Sequence, residues 1–219
     1  RLILRRFARH QNAPALALAA EQLTGIMRQL GNVEQLDQLR GYEGNAARIY
    51  FQAFSTCLAS PWQFYKRVKQ PPVDPINAML SYGYTLLFYN VYTFLRARGL
   101  NPQVGYLHPL RQGHPALASD MMEEFRAIIV DNVVFNIAFN NKLKPDDFTL
   151  PTQSGEACLM NKNAREYFIR QLESKFNLRL RHPVSGIQLD YRRCIEYQVN
   201  HLVAVIRQNI SDYQPMILR

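Results

Sequence analysis

Asp74-Pro75-Ile76-Asn77-Ala78-Met79-Leu80-Ser81-Tyr82-Gly83-Tyr84-Thr85-Leu86-Leu87-Phe88-Tyr89-Asn90-Val91-Tyr92-Thr93-Phe94-Leu95 decides the fold class. From Pro75 to Leu95 it carries no formal charge and is long enough to span a bilayer. Its polar content argues otherwise: Asn77, Ser81, Tyr82, Tyr84, Thr85, Tyr89, Asn90 and Tyr92 punctuate the run, so it reads as a buried core helix. Asp74 supplies an N-cap, Pro75 occupies the tolerated first turn, and Gly99 closes the C-terminus.

Helical signals also dominate on either side. Asn12 is expected to cap a helix running from Ala13 to about Leu30, with Gly31 as its stop. A second helix is expected after Glu43, where Ala46, Ile49, Tyr50, Ala53, Phe54, Cys57 and Leu58 recur at helical spacing, and Pro61 ends it. The segment 67–73 is a basic, Pro-rich linker. The segment 99–115 is an irregular loop punctuated by Pro and Gly, and it contains His108 and His114. Helix resumes near Leu117 and runs past Val134, with Met121, Phe125, Ile128, Ile129, Asn132 and Phe135 on its apolar face. One short hairpin is expected, Phe148-Thr149-Leu150 against Ala157-Cys158-Leu159. Two further helices follow, through Ala164 to Phe176 and through Tyr191 to Ile206. The expectation is a mainly α, multi-helical chain with at most one hairpin, organised as a linker with first helices over 1–40 and one continuous helical lobe over 41–219.

The composition is that of a chain with a packed core: 47% hydrophobic and 20% charged residues, at a mean hydropathy of −0.24. The net charge of +9 excludes an acidic or neutral surface and points to a polyanionic partner. Cys57, Cys158 and Cys194 are widely spaced and form no CxxC pair, so neither a disulfide framework nor a zinc knuckle is suggested, and a reducing compartment follows. The segment Arg1 to Phe7 is too charged and too short in its apolar run for a signal peptide. It lacks a starting methionine, so the chain reads as a fragment.

The helix opening Ser119-Asp120-Met121-Met122-Glu123-Glu124-Phe125-Arg126 places three carboxylates on one face. At about 4 Å and an effective dielectric of about 20, each like-charged pair costs about 4 kcal/mol, so a cation must offset them if they converge away from water. Arg126 or a divalent metal can serve, whereas a solvated acidic first turn needs neither. His108, in Gly105-Tyr106-Leu107-His108, lies on the loop leading into this helix, where its imidazole can be aimed at the acids. Glu43, in Gly41-Tyr42-Glu43-Gly44-Asn45, is a further acid between two glycines at an expected helix start. Two carboxylates and one imidazole form a set suited to Mg²⁺ or Mn²⁺ rather than zinc. His10, His114, His182 and His201 have no such setting and read as surface or core residues.

Three segments together are similar to the CRISPR adaptation integrase family: Gly41-Tyr42-Glu43-Gly44-Asn45-Ala46-Ala47-Arg48-Ile49-Tyr50-Phe51, Asp74-Pro75-Ile76-Asn77-Ala78-Met79-Leu80-Ser81-Tyr82-Gly83-Tyr84, and Gly105-Tyr106-Leu107-His108 continuing to Asp120-Met121-Met122-Glu123-Glu124-Phe125-Arg126. They occur in the family's order and spacing, and the match covers nearly the whole chain. The resemblance implies that Glu43, His108 and Glu123 are metal ligands, with Asp120 as an accompanying acidic site residue. Two departures stand out: Ala127 replaces a proline frequent in the family, and the family's N-terminal β-rich lobe is absent from this chain, which resembles the helical catalytic lobe. The family includes fusions in which such a lobe follows a reverse transcriptase.

The resemblance implies a cytoplasmic, metal-dependent integrase and endonuclease that uses Mg²⁺ or Mn²⁺ to join the 3′-hydroxyls of prespacer DNA to CRISPR repeat DNA. The substrate would be double-stranded DNA with 3′ overhangs. The working assembly would be homodimers bridged by a small ferredoxin-like adaptation subunit, with a reverse transcriptase fused or associated, and no membrane. Arg48, Lys66, Arg67, Lys69, Arg111 and Arg126 are candidate phosphate contacts, Arg126 with a rival role as partner of Glu123 or Glu124. Tyr65 and Trp62 are candidates for stacking on unpaired bases, against simple packing for Trp62. The competing reading is a non-catalytic basic helical module that binds nucleic acid or protein. A membrane-surface role is a distant third, since no strongly basic amphipathic helix stands out.

Overall fold

The computed structural model describes residues 1–218. Eight α-helices are present among them: α1 (Leu2–Gln11), α2 (Pro14–Gln29), α3 (Leu36–Leu58), α4 (Pro75–Ala97), α5 (Ala116–Phe125), α6 (Asn132–Phe139), α7 (Lys162–Phe176) and α8 (Tyr191–Ile206). A π-helical turn, Arg126–Asp131, joins α5 to α6. Two small antiparallel pairs complete the described chain, β1 (Phe148–Thr149) with β2 (Leu159–Met160), and β3 (Arg179–Arg181) with β4 (Gln188–Asp190). The chain divides into two compact units, one of residues 1–81 and 134–165, the other of residues 82–133 and 166–219.

Helix α4 forms as its sequence dictates. The Asp74 carboxylate accepts the Asn77 backbone N–H at 2.8 Å and the Asn77 side-chain amide at 2.6 Å. At the other end Gly99 adopts φ +74°, and the N–H of Leu100 reaches the Leu95 carbonyl at 3.0 Å. Ile76, Met79, Leu80, Leu87, Val91 and Leu95 are fully buried. Among the described residues no helix is long and apolar enough to cross a membrane.

The first unit packs aromatic side chains of α1, α3 and α6. Phe54 and Phe135 stack at 3.6 Å, and Phe7 meets Phe54 edge-on at 5.8 Å. Trp62 is buried and sits edge-on to Phe148 at 6.3 Å, so its role is packing. In the second unit, Gly83 lets α4 run close to its neighbours: a Cβ there would lie 2.6 Å from Val130 and 3.1 Å from Phe168. Asp190 caps α8 by accepting the Arg193 N–H at 2.7 Å.

The structure departs from the sequence expectation in four places. Asn12 ends α1 in a left-handed conformation, φ 47°, instead of capping α2, because Asn tolerates that region and α1 precedes it. Helix α3 starts at Leu36, so Glu43, Gly41 and Gly44 lie inside a helix rather than at its start. The expected continuous helix after Leu117 widens at Arg126–Asp131 into the π turn. A second strand pair, β3–β4, turns at Gly186 (φ +71°) and is added to the one expected hairpin, which forms with Phe148 opposite Met160. The mainly helical class stands.

Candidate functional site

Asp120, in the second turn of α5, organises the loop before that helix. Its Oδ2 accepts the N–H groups of Tyr106 (2.5 Å) and Leu107 (3.0 Å), and its Oδ1 accepts the His108 N–H (3.0 Å) and meets His108 Nδ1 at 2.6 Å. Burial opposes ionisation of Asp120, but the His108 ring and the three backbone N–H groups outweigh it and hold the carboxyl below its usual range. An ionised Asp120 takes the Nδ1 proton as its hydrogen bond, which leaves the lone pair on Nε2. Carboxylate-backed histidines of this kind are oriented as metal ligands.

The motif glycine has a steric reason. A Cβ on Gly105 would sit 2.6 Å from Asp120 Oδ2 and 2.8 Å from both the carbonyl carbon and Cβ of Ala116. Only glycine brings the backbone close enough for three successive N–H groups to converge on one carboxylate. The Leu117 N–H, bonded to the Pro102 carbonyl at 2.9 Å, pins the loop's other end.

The three acids of α5 do not converge on one cation, because each has its own partners. Glu123 is ion-paired with Arg126, whose guanidinium also lies over the Tyr84 ring at 4.4 Å. Tyr84 in turn donates to Asp131 at 2.5 Å. Glu124 is taken by the C-terminal segment: it accepts the Tyr213 hydroxyl, the Gln198 amide at 3.0 Å and the Met216 N–H at 2.7 Å. The Tyr213 phenol is pushed well above its usual value, first by burial and then by the Glu124 charge.

Glu43 belongs to the first unit. It lies on the exposed face of α3 and has no hydrogen-bond or ion-pair partner among the described residues. Beside it in sequence, Gly41, Tyr42 and Asn45 line a cavity of about 640 Å³ together with Gln29, Asn32, Val33 and Gln38. Of the candidate phosphate contacts, Lys66, Lys69 and Arg111 are exposed, as is Arg48, which bonds to Asn45 and Gln52 on its own helix. Arg67 and Arg126 are differently placed. Arg67 donates to Asn77 at 2.9 Å and Ser81 at 3.1 Å, and Arg126 serves Glu123, so both guanidiniums have structural partners.

One site neighbour is missed from the sequence. His114, expected to be an isolated histidine, lies with its ring 6.0 Å from that of His108 and its Nε2 3.3 Å from the Ser119 hydroxyl. Its place in the same short loop as His108 is the signal that was available. Among the described residues no three His, Cys, Asp or Glu side chains are gathered as a ready metal cage. Within the second unit, the carboxylate-backed imidazole of His108 and the Glu123 carboxylate are donors of a kind that suits a divalent cation.

In fold, the chain is similar to part of several solved structures. It superposes on a structure titled Casposase bound to integration product with a TM-score of 0.78 at 22% identity, covering 89% of this chain and 55% of that one. It superposes on a Cas6-RT-Cas1--Cas2 complex with a TM-score of 0.81 at 27% identity, covering 98% of this chain and 23% of that one. The profile of the family described as CRISPR associated protein Cas1 matches residues 1–174, and the chain belongs to that family. The CRISPR-associated endonuclease Cas1 3 of Thermus thermophilus is 37% identical over 199 residues, which is 91% of this chain and 59% of the relative. The chain thus spans about three-fifths of that relative's length.

Proposed function

We propose that this chain is the helical catalytic lobe of an integrase of CRISPR spacer acquisition, which joins prespacer 3′-hydroxyl ends to repeat DNA by transesterification. The observation that carries the reading is the seating of His108 on the ionised Asp120, in a chain of the Cas1 family. Glu43, His108 and Glu123 are the proposed ligands of Mg²⁺ or Mn²⁺. Bound there, the cation supplies Lewis-acid polarisation of the scissile phosphate and offsets charge on the leaving oxygen.

The chain's own residues do the rest. Asp120 holds the His108 ring in one tautomer and one orientation. Arg126 restrains the Glu123 carboxylate through one oxygen and leaves the other to face a ligand. The joining step exchanges one phosphodiester P–O bond for another: the incoming 3′-hydroxyl attacks phosphorus in line as the bond to the repeat's 3′-oxygen breaks, and the hydroxyl proton ends on that oxygen. With water as nucleophile the same site cleaves, which accounts for nuclease activity. Lys66, Lys69, Arg48 and Arg111 are the proposed backbone contacts, with Arg67 and Arg126 adding positive charge while held by their structural partners. A homodimer, a small ferredoxin-like adaptation subunit and a reverse transcriptase are the proposed partners; the named composition of the Cas6-RT-Cas1--Cas2 complex supports the last two.

The test is an integration assay with the natural full-length protein that carries this sequence, prespacer DNA with free 3′-hydroxyls, a repeat-bearing plasmid, the small subunit and Mn²⁺. Joining that disappears in Glu123→Ala is the expected result, and equal joining by both proteins removes Glu123 from the site. Mn²⁺ should also raise the melting temperature of wild type and not of Glu123→Ala. Indifference of both to the ion, with DNA binding retained, favours the non-catalytic basic module.

A further inference from the structure

Tyr106 lies two residues before His108, and its backbone is fixed by the same carboxylate that fixes the imidazole: its N–H is 2.5 Å from Asp120 Oδ2. The preceding Gly105 is wedged against Asp120 and Ala116, so the loop has no slack at this point. The side chain is nevertheless 67% exposed and makes no ring contact among the described residues. Val104 and Leu110 of the same loop are also exposed. A large aromatic ring on a rigid base, open to solvent, beside a candidate ligand and in a chain of net charge +9, is not accounted for by packing among the described residues.

We propose that Tyr106 is a positioning and specificity residue that stacks on an unpaired nucleobase of the DNA strand whose phosphate lies at His108. This rests on the proposed integrase function. An aromatic ring needs an open π-face, which an unpaired base offers and a base inside a duplex does not, so the ligand is single-stranded, and stacking tolerates any base identity. The basic side chains would supply sequence-independent phosphate contacts, and Tyr106 would set where along the strand the reacting phosphate stops. Because its anchor is a backbone N–H, removing the ring leaves the Asp120–His108 arrangement in place.

The experiment measures binding by the full-length protein of duplex DNA with 3′ overhangs, of blunt duplex, and of overhang DNA with an abasic site at successive positions. Joining is followed in parallel. Tyr106→Ala should weaken overhang binding by about five- to 150-fold and leave blunt-duplex binding within about twofold, while Tyr106→Phe retains wild-type binding. One abasic position should lower wild type to the level of Tyr106→Ala and cost that variant nothing more. Equal loss on blunt and overhang DNA, no loss on either, or no abasic position that couples to Tyr106 overturns the proposal. If Tyr106→Ala spares DNA binding but abolishes association with a partner subunit, the ring serves a protein contact and the proposal also fails. If the abasic coupling is seen in a protein that joins nothing, the stacking role stands and the integrase reading falls.

Discussion

Gly41-Tyr42-Glu43-Gly44 and Gly105-Tyr106-Leu107-His108 are both glycine-marked segments that carry a proposed ligand, and their glycines do opposite things. At Gly105 the space for a side chain is already filled by Asp120 and Ala116. At Gly41 and Gly44, inside α3, a Cβ would meet nothing within 4 Å. The acids differ in the same sense. Asp120 is surrounded by four N–H donors, whereas Glu43 stands on an open helical face without a partner. One region is built in advance by packing and hydrogen bonds. The other keeps its surface bare, at the cost of about 0.5–1 kcal/mol of helix stability per glycine. A glycine beside a functional residue therefore has two distinct physical meanings, and only the space around its Cα tells them apart.

Substitutions sharpen this contrast. The largest effect is expected from Asp120→Ala, which leaves three backbone N–H groups and the His108 ring without their acceptor. Joining should fall about 10- to 100-fold through loss of ligand orientation, and stability by about 2–3 kcal/mol. Activity assays and urea unfolding check the two parts. Near-wild-type values in both would show that the loop holds itself.

Gly105→Ala comes next. The backbone collision with Ala116 should cost about 1–3 kcal/mol and shift the urea midpoint downward without changing its slope. A neutral result would mean that the loop can move off Asp120 freely.

Acidification tests the same anchor without changing its shape. The Asp120 carboxyl titrates lower in the folded protein than in the unfolded chain, because the His108 ring and backbone N–H bonds overcome the opposing effect of burial. Its contribution is therefore present above the ordinary carboxylate range and is lost as pH falls through the folded value. The stability gap between wild type and Asp120→Asn should be constant near neutrality and close in strong acid, as followed by urea unfolding across that range. A gap that persists in strong acid would place its origin elsewhere than in the charge.

The smallest effect, of opposite sign, is expected at Gly44→Ala. With open space around it and helical geometry on both sides, the added methyl should raise stability by about 0.5–1 kcal/mol. The thermal midpoint checks this. A loss of DNA binding or joining alongside the gain in stability would show that the bare surface next to Glu43 is used by the substrate.

Some of this molecule is legible in the chain itself. The bounds of α4 follow from Asp74-Pro75 and Gly99, because caps and stops act on groups within four residues. The mainly helical class follows from apolar spacing. The candidate ligands Glu43, His108 and Glu123 stand out through their resemblance to a family's motifs. Other features were misread or hidden for a common reason. Asn12 suits both a helix start and a helix end, and which one it becomes depends on whether α1 docks Ile3, Leu4 and Phe7 into the core. Glu124 reads as a member of an acidic trio until the C-terminal segment, about ninety residues on, brings Tyr213 and Met216 to it.

The sequence by itself determined the helical class, the ends of the helices whose caps are local, the basic character and the residue types of the candidate site. Tertiary structure alone decided which carboxylate does what. Asp120, Glu123 and Glu124 lie within five residues and are chemically near-equivalent, yet one backs a histidine, one holds an arginine and one ties down the chain's end. Hydrogen bonds and ion pairs act over about 3 Å, whatever the separation of the groups along the chain. A carboxylate's role is therefore set by the donors that folding brings to it, and the order of residues along α5 does not record them.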